Sequence, residues 1–150
     1  MTRRQTIPEQ WLILPTLEGS SLAAARQLKS GSGVIVIGTP AAAEVRRLRR
    51  IAGTRNLRVV IEAEGDVARV HNVAELRAAL LRRTPLVLLS PMFPTRSHPG
   101  WGAIPSMRAA ALARLADRRL LALGGMNARR YAKIAALGFI GWAGISAFRT

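Results

Sequence analysis

Residues 84–100 read Thr-Pro-Leu-Val-Leu-Leu-Ser-Pro-Met-Phe-Pro-Thr-Arg-Ser-His-Pro-Gly, and this stretch decides the fold. Its apolar run, Pro85 to Leu89, has no polar alternation, so the strand it predicts is covered on both faces, as in a parallel sheet. At Ser90 the character changes abruptly to hydroxyls, an arginine, a histidine and prolines. A buried strand that empties into such a loop places its chemistry at the carboxyl end of a parallel sheet.

Outward from this stretch, strands and helices alternate. Toward the amino terminus, Asn72 with Glu75 three residues on predicts a capped helix through Leu76, Ala79 and Leu80. Earlier still, Trp11 to Leu14, Val34 to Ile37 and Leu57 to Ile61 read as strands. A helix capped by Ser20 or Ser21 and running through Leu22, Ala25 and Leu28 separates the first two. A second separates the next two, with Thr39 as N-cap, Pro40 at its first position, and a stripe of Ala41, Val45, Leu48 and Ile51 or Ala52. Toward the carboxyl terminus come a helix over Ser106 to Ala116 on a Met107, Ala110, Ala111, Leu115 stripe and a strand at Leu120 to Leu123. Asn127 then caps a helix carrying Tyr131, Ile134 and Leu137 and stopped by Gly138, and the last strand spans Phe139 to Ile145. This order predicts a mostly parallel α/β fold.

The alternation breaks once. Between Ile61 and a short strand at Val67 to Val70 stand only Glu62, Ala63, Glu64, Gly65 and Asp66, an acidic turn in a basic chain. A parallel crossover needs roughly a dozen residues, so a helix is missing here. A complete βα barrel takes roughly 200 residues or more, and the chain has 150.

Composition bounds the function. With 49% hydrophobic residues, 150 residues support one domain with a core, expected to span the whole chain. The absence of cysteine excludes disulfides, thiolate metal sites and a cysteine nucleophile. No signal-like apolar segment follows Met1, no stretch reaches membrane-spanning length, and a cytoplasmic location without membrane association is expected. The net charge of +15 admits nucleic acid as a partner, but the arginines recur in pairs on successive helices, as on solvated outer faces. Aromatics at 5% are too few for a base-stacking platform, so nucleic acid is disfavoured.

Two segments suit a phosphate. Gly124-Gly125-Met126-Asn127, between a strand and a helix start, lets an anion approach backbone N–H groups, although a tight turn also wants glycine there. Ser146 follows the last strand, and in barrels the last two strand ends commonly hold phosphate. Thr95, Arg96, Ser97 and His98 add hydroxyls, a fixed cation and an imidazole, while the hydroxyls also suit a proline-rich turn without any ligand. His71 has no carboxylate pair at metal-site spacing, and Trp11, Trp101, Trp142, Met92 and Phe93 read as packing or lining.

Ser-Pro-Met-Phe-Pro-Thr-Arg-Ser-His-Pro-Gly, Leu-Ala-Leu-Gly-Gly-Met-Asn-Ala and Gly-Trp-Ala-Gly-Ile-Ser-Ala, in this order and spacing, resemble the thiamine phosphate synthase and thiazole tautomerase superfamily over residues 84–147. The resemblance implies a TIM barrel, here abbreviated to about seven strands with the fourth strand and its flanking helices deleted. It implies an enzyme joining hydroxymethylpyrimidine pyrophosphate to thiazole phosphate with magnesium and release of pyrophosphate. By position it assigns phosphate binding to Thr95, Ser97, Gly125 and Ser146, with Gly124 of the glycine pair beside them, and Ser90, Arg96 and His98 are the catalytic candidates. His98 stands where synthases carry lysine, and Leu88, Leu89 and Ser90 lack the histidine of the tautomerases.

The amino-terminal half departs from the pattern. Val36, Ile37, Gly38 and Thr39 replace a basic pair, and Glu62, Ala63 and Glu64 replace an Asn-Asp pair, leaving Glu62, Glu64 and Asp66 as the acidic candidates for magnesium, with no ligand set defined. The expectation is phosphate and pyrophosphate ligands with impaired magnesium chemistry. The alternatives are a non-catalytic phosphate-binding relic, a barrel completed by self-association, and a basic nucleic-acid-binding module.

Overall fold

The structure, a computed structural model, describes residues 7–94, 100 and 102–145. Seven strands form one sheet: β1 Gln10–Leu14, β2 Gly33–Val36, β3 Arg58–Ile61, β4 Val67–Val70, β5 Leu86–Leu89, β6 Leu120–Ala122 and β7 Gly141–Gly144. Their order is β3-β2-β1-β7-β6-β5-β4, and every pairing is parallel. Helices α1 Gly19–Arg26, α2 Ala42–Arg55, α3 Val73–Leu81, α4 Ser106–Ala116 and α5 Ala128–Ile134 lie between strands. The result is a nearly closed α/β barrel of the TIM type, with β3 and β4 on either side of its seam.

Strand alternation divides the core into an inside and an outside. Trp11, Ile13, Ile35, Val60, Val67, Leu86, Leu88, Leu121 and Ala143 fill the interior as one cluster. The intervening residues meet the helices: Leu12, Val34, Val36 and Ile61 pack with Leu22, Ala25, Leu48 and Ile51, and Val87, Leu89 and Trp142 pack with Leu76, Ala109, Leu112 and Tyr131. Each fully buried aliphatic side chain contributes about 1.5–3 kcal/mol. The apolar run of β5 is thus covered on both faces, Leu86 and Leu88 by the interior and Val87 and Leu89 by helices.

Trp11 is the largest interior side chain, wholly buried, and its indole N–H donates to the Pro8 carbonyl at 2.7 Å. Its ring lies over Gly33, where an added Cβ would fall 2.1 Å from Trp11 Cε3. Gly33 is therefore a space requirement set by the neighbouring strand.

The expected missing crossover is present as a gap. Residues 62–66 alone link β3 to β4, as a 3₁₀ turn over Glu62–Glu64 closed by Gly65 at φ 79°. No ladder joins the two strands among the described residues. Side chains bridge the gap instead. Asp66 Oδ2 accepts the Ile61 N–H at 3.1 Å, and Arg69 grips Glu62 with Nε at 2.8 Å and Nη2 at 3.1 Å.

Several helix details differ from expectation. Helix α1 starts at Gly19 after Glu18, with no side-chain cap from Ser20 or Ser21, and Leu28 lies beyond its end. Helix α2 starts at Ala42 after Ala41, so neither Thr39 nor Pro40 opens it. Leu137 belongs to a separate 3₁₀ turn, Ala135–Leu137. Helix α4 has the expected bounds but the opposite face: Ala109, Leu112, Ala113 and Ala116 are buried, while Met107 is 88% and Leu115 44% exposed. The caps at Asn72 and Asn127 hold, accepting the N–H groups of Glu75 at 2.9 Å and Arg130 at 2.8 Å.

Candidate active site

Because every strand is parallel, the residues after their carboxyl ends gather at one mouth: Glu62 after β3, His71 after β4, Ser90 after β5, Leu123 and Gly124 after β6, Ile145 after β7. Ser90 stands two residues beyond the interior residue Leu88, and its N–H donates to Val70 O at 3.1 Å.

The Ser-Pro-Met-Phe-Pro segment meets the Gly-Gly turn through backbone. Leu123 N–H donates to Leu89 O at 3.0 Å, Met92 N–H to Leu123 O at 2.9 Å, and Phe93 N–H to Gly124 O at 3.1 Å, so the contact of β5 with β6 continues into their loops. Gly124 has φ 100° and Gly125 φ 61°. A Cβ on Gly124 would come within 2.8 Å of Pro91 Cα, and one on Gly125 within 2.8 Å of Pro94 O. Both glycines are thus required by the close approach of residues 91–94 and by their positive φ. Thr95, Arg96, Ser97, His98, Trp101 and Ser146 lie outside the described residues.

One residue at this wall was missed. Arg130 read as half of a solvated pair with Arg129, yet its Nη1 donates to Gly125 O at 2.6 Å and its guanidinium lies 5.0 Å from the centre of the Phe93 ring. It is half-buried and sets a permanent cation against the Gly-Gly turn. Its position three residues after the capping Asn127, one turn from the glycines, was the available signal. Behind it, Tyr131 donates its hydroxyl to Phe139 O at 3.3 Å. Burial, with a smaller push from the Glu9 carboxylate, raises the Tyr131 phenol above its ordinary value.

The acidic residues of the mouth do not fit a magnesium site. Both Glu62 oxygens face Arg69, Glu64 pairs with Arg49 at 3.5 Å, and Asp66 holds the Ile61 N–H. No group of three or more His, Asp or Glu residues able to hold a metal ion occurs among the described residues. Between β4 and α4, His71, Glu75, Pro91, Ile104 and Arg108 border a cavity of about 490 Å³. Glu75 Oε2 lies 3.1 Å from His71 Nδ1, and its Oε1 accepts Asn72 Nδ2 at 3.1 Å. No helix among the described residues is long and apolar enough to cross a membrane.

No family model matches the sequence, and no curated protein matches it. Among solved structures, the fold is similar to that of a thiamine phosphate pyrophosphorylase from Pyrococcus furiosus, with a TM-score of 0.71 at 14% identity, over 97% of this chain and 89% of the other. At that identity the likeness establishes the fold.

Proposed function

We propose that this chain is a thiamine phosphate synthase-like protein of thiamine biosynthesis, holding the phosphate of a thiazole phosphate at its carboxyl mouth and joining it, with impaired efficiency, to hydroxymethylpyrimidine pyrophosphate. The observation that carries this reading is the closure of residues 91–94 on Gly124-Gly125, with Arg130 beside the turn, inside a barrel that shares the pyrophosphorylase fold. Thr95, Ser97, Gly124, Gly125 and Ser146 are the proposed phosphate cup, and Ser90, Arg96 and His98 the residues at the reacting end.

The reaction needs no covalent nucleophile from the protein. The carbon–oxygen bond to pyrophosphate breaks, a stabilised pyrimidine cation is left, and the thiazole nitrogen supplies the electron pair for the new carbon–nitrogen bond. The protein orients the two partners and offsets the charge gathering on the leaving pyrophosphate. In the family magnesium assists that offset. Here Glu62, Glu64 and Asp66 are engaged in the seam and with Arg49, which leaves the task to cations such as Arg96 and Arg130 and supports slow turnover.

A coupled assay for thiamine phosphate, with and without magnesium, tests this, alongside calorimetry with thiazole phosphate and with pyrophosphate. Slow formation of thiamine phosphate and saturable thiazole phosphate binding that Ser97→Ala weakens are expected. Lack of thiazole phosphate binding overturns the reading, and tight magnesium-dependent pyrophosphate binding overturns the impairment. A non-catalytic, partner-completed barrel is the second reading, favoured by the two unladdered edges β3 and β4. It requires binding without turnover and a sedimentation coefficient above that of a monomer.

A further inference from the structure

Helix α4 carries two apolar faces, and only one is used by the core. Ala109, Leu112, Ala113 and Ala116 are buried, while Ala111 and Leu115, one turn apart, face outward. They meet Val73, at the start of α3 and 43% exposed, across a half-open groove of about 500 Å³ floored by Leu112. At one end the groove turns polar, with Arg108, His71 and Asn72. Glu75, the acidic group nearest that end, has both oxygens engaged, Oε1 with Asn72 and Oε2 with His71. Arg108 has no ion-pair partner among the described residues, and it is the fixed cation among the residues that line the groove.

An apolar trough of this volume with one convergent cationic end is complementary to a molecule with an apolar body and a single anionic head. We propose that the α3–α4 groove is a binding site for a small amphiphilic carboxylate, its hydrocarbon body along Val73, Ala111, Leu112 and Leu115 and its head on Arg108. Against Arg108 an anionic head is compensated, whereas the surface of a second copy of this basic chain offers few carboxylates to meet it. The site is separate from the Gly124-Gly125 wall. It shares His71 and Arg108 with the 490 Å³ cavity at the barrel mouth, so an occupant of the groove fixes two residues that border the mouth.

Calorimetry with decanoate and with decan-1-ol, below their aggregation limits, tests the proposal on the full chain. Saturable decanoate binding is expected, with decan-1-ol about tenfold weaker because it lacks the charge. Arg108→Gln should weaken decanoate about tenfold and leave decan-1-ol unchanged, while Ala111→Trp, which fills the trough from an exposed position, should abolish both. Far-ultraviolet circular dichroism of each variant verifies folding, and Leu115→Glu replaces Ala111→Trp if the latter unfolds. Absence of saturable decanoate binding, equal affinity for acid and alcohol, or unchanged decanoate binding in Arg108→Gln overturns the proposal. None of these outcomes bears on thiazole phosphate binding, which is measured at the other wall.

Discussion

Gly33 shows how far a single residue's role can lie from its own sequence neighbourhood. It opens β2 just before the β-branched run of Val34 to Ile37, and its missing side chain is what admits the Trp11 ring into the barrel. Gly33→Ala should destabilise the protein by about 1–3 kcal/mol through overpacking. Trp11→Phe in the same chain should recover part of the loss by shrinking the ring. Urea unfolding of the two single variants and the double variant checks this, and additivity of the two losses would show that the residues do not compete for space. Arg130 makes the same point at the candidate site. Its charge was legible in the sequence, but its contact with Gly125 and Phe93 depends on the loop after β5 lying beside the turn after β6.

Among the elements, the link between β3 and β4 departs furthest from barrel logic. Parallel neighbours are normally joined by a helix, and without one the two strands cannot be brought into a ladder. Asp66 and the Arg69–Glu62 pair supply the connection that backbone hydrogen bonds supply elsewhere. The ion pair is substantially exposed, with side-chain exposures of 46% and 24%, and contributes little energy alone. The Asp66 bond is part-buried and relieves the Ile61 N–H, so Asp66→Ala should cost about 1–3 kcal/mol. Hydrogen exchange should show the loss concentrated in amides of β3 and β4, with β1 and β7 unchanged. Uniform acceleration across the sheet would mean that the seam is not a local unit. Helix α4 is the instructive failure of periodicity. Its sequence carries two apolar stripes, and spacing alone favoured Met107, Ala110, Ala111 and Leu115 over Ala109, Leu112, Ala113 and Ala116, which pack with Val87, Leu89 and Trp142.

Over the whole molecule, charge is poorly compensated. The chain holds 23 lysines and arginines against 8 acidic residues, and the arginine–carboxylate pairs among the described residues are Arg49–Glu64 and Arg69–Glu62. Arg46, Arg47, Arg49 and Arg50 are exposed on α2, as the solvated-face reading expected, and Arg82, Arg83 and Arg118 are exposed elsewhere. Mutual repulsion therefore opposes the compact state, and salt screens it. Raising sodium chloride from low millimolar to 0.3 M should raise the melting temperature by about 2–4 °C, the shift expected for about 1 kcal/mol in a chain of this size. A fall in melting temperature would show that the few ion pairs outweigh the repulsion.

The sequence by itself determined the order of elements, the caps at Asn72 and Asn127, the burial of β5 on both faces and the missing crossover, because these depend on local composition and spacing. It also placed the Ser-Pro-Met-Phe-Pro segment and Gly124-Gly125 at the ends of neighbouring strands. Only the tertiary structure decided which stripe of α4 is buried, which partners Glu62, Glu64 and Asp66 take, and that Arg130 meets Gly125 and Phe93. These are contacts between residues brought together by barrel curvature, and no periodicity along the chain encodes which side chain meets which across a seam or between two loops.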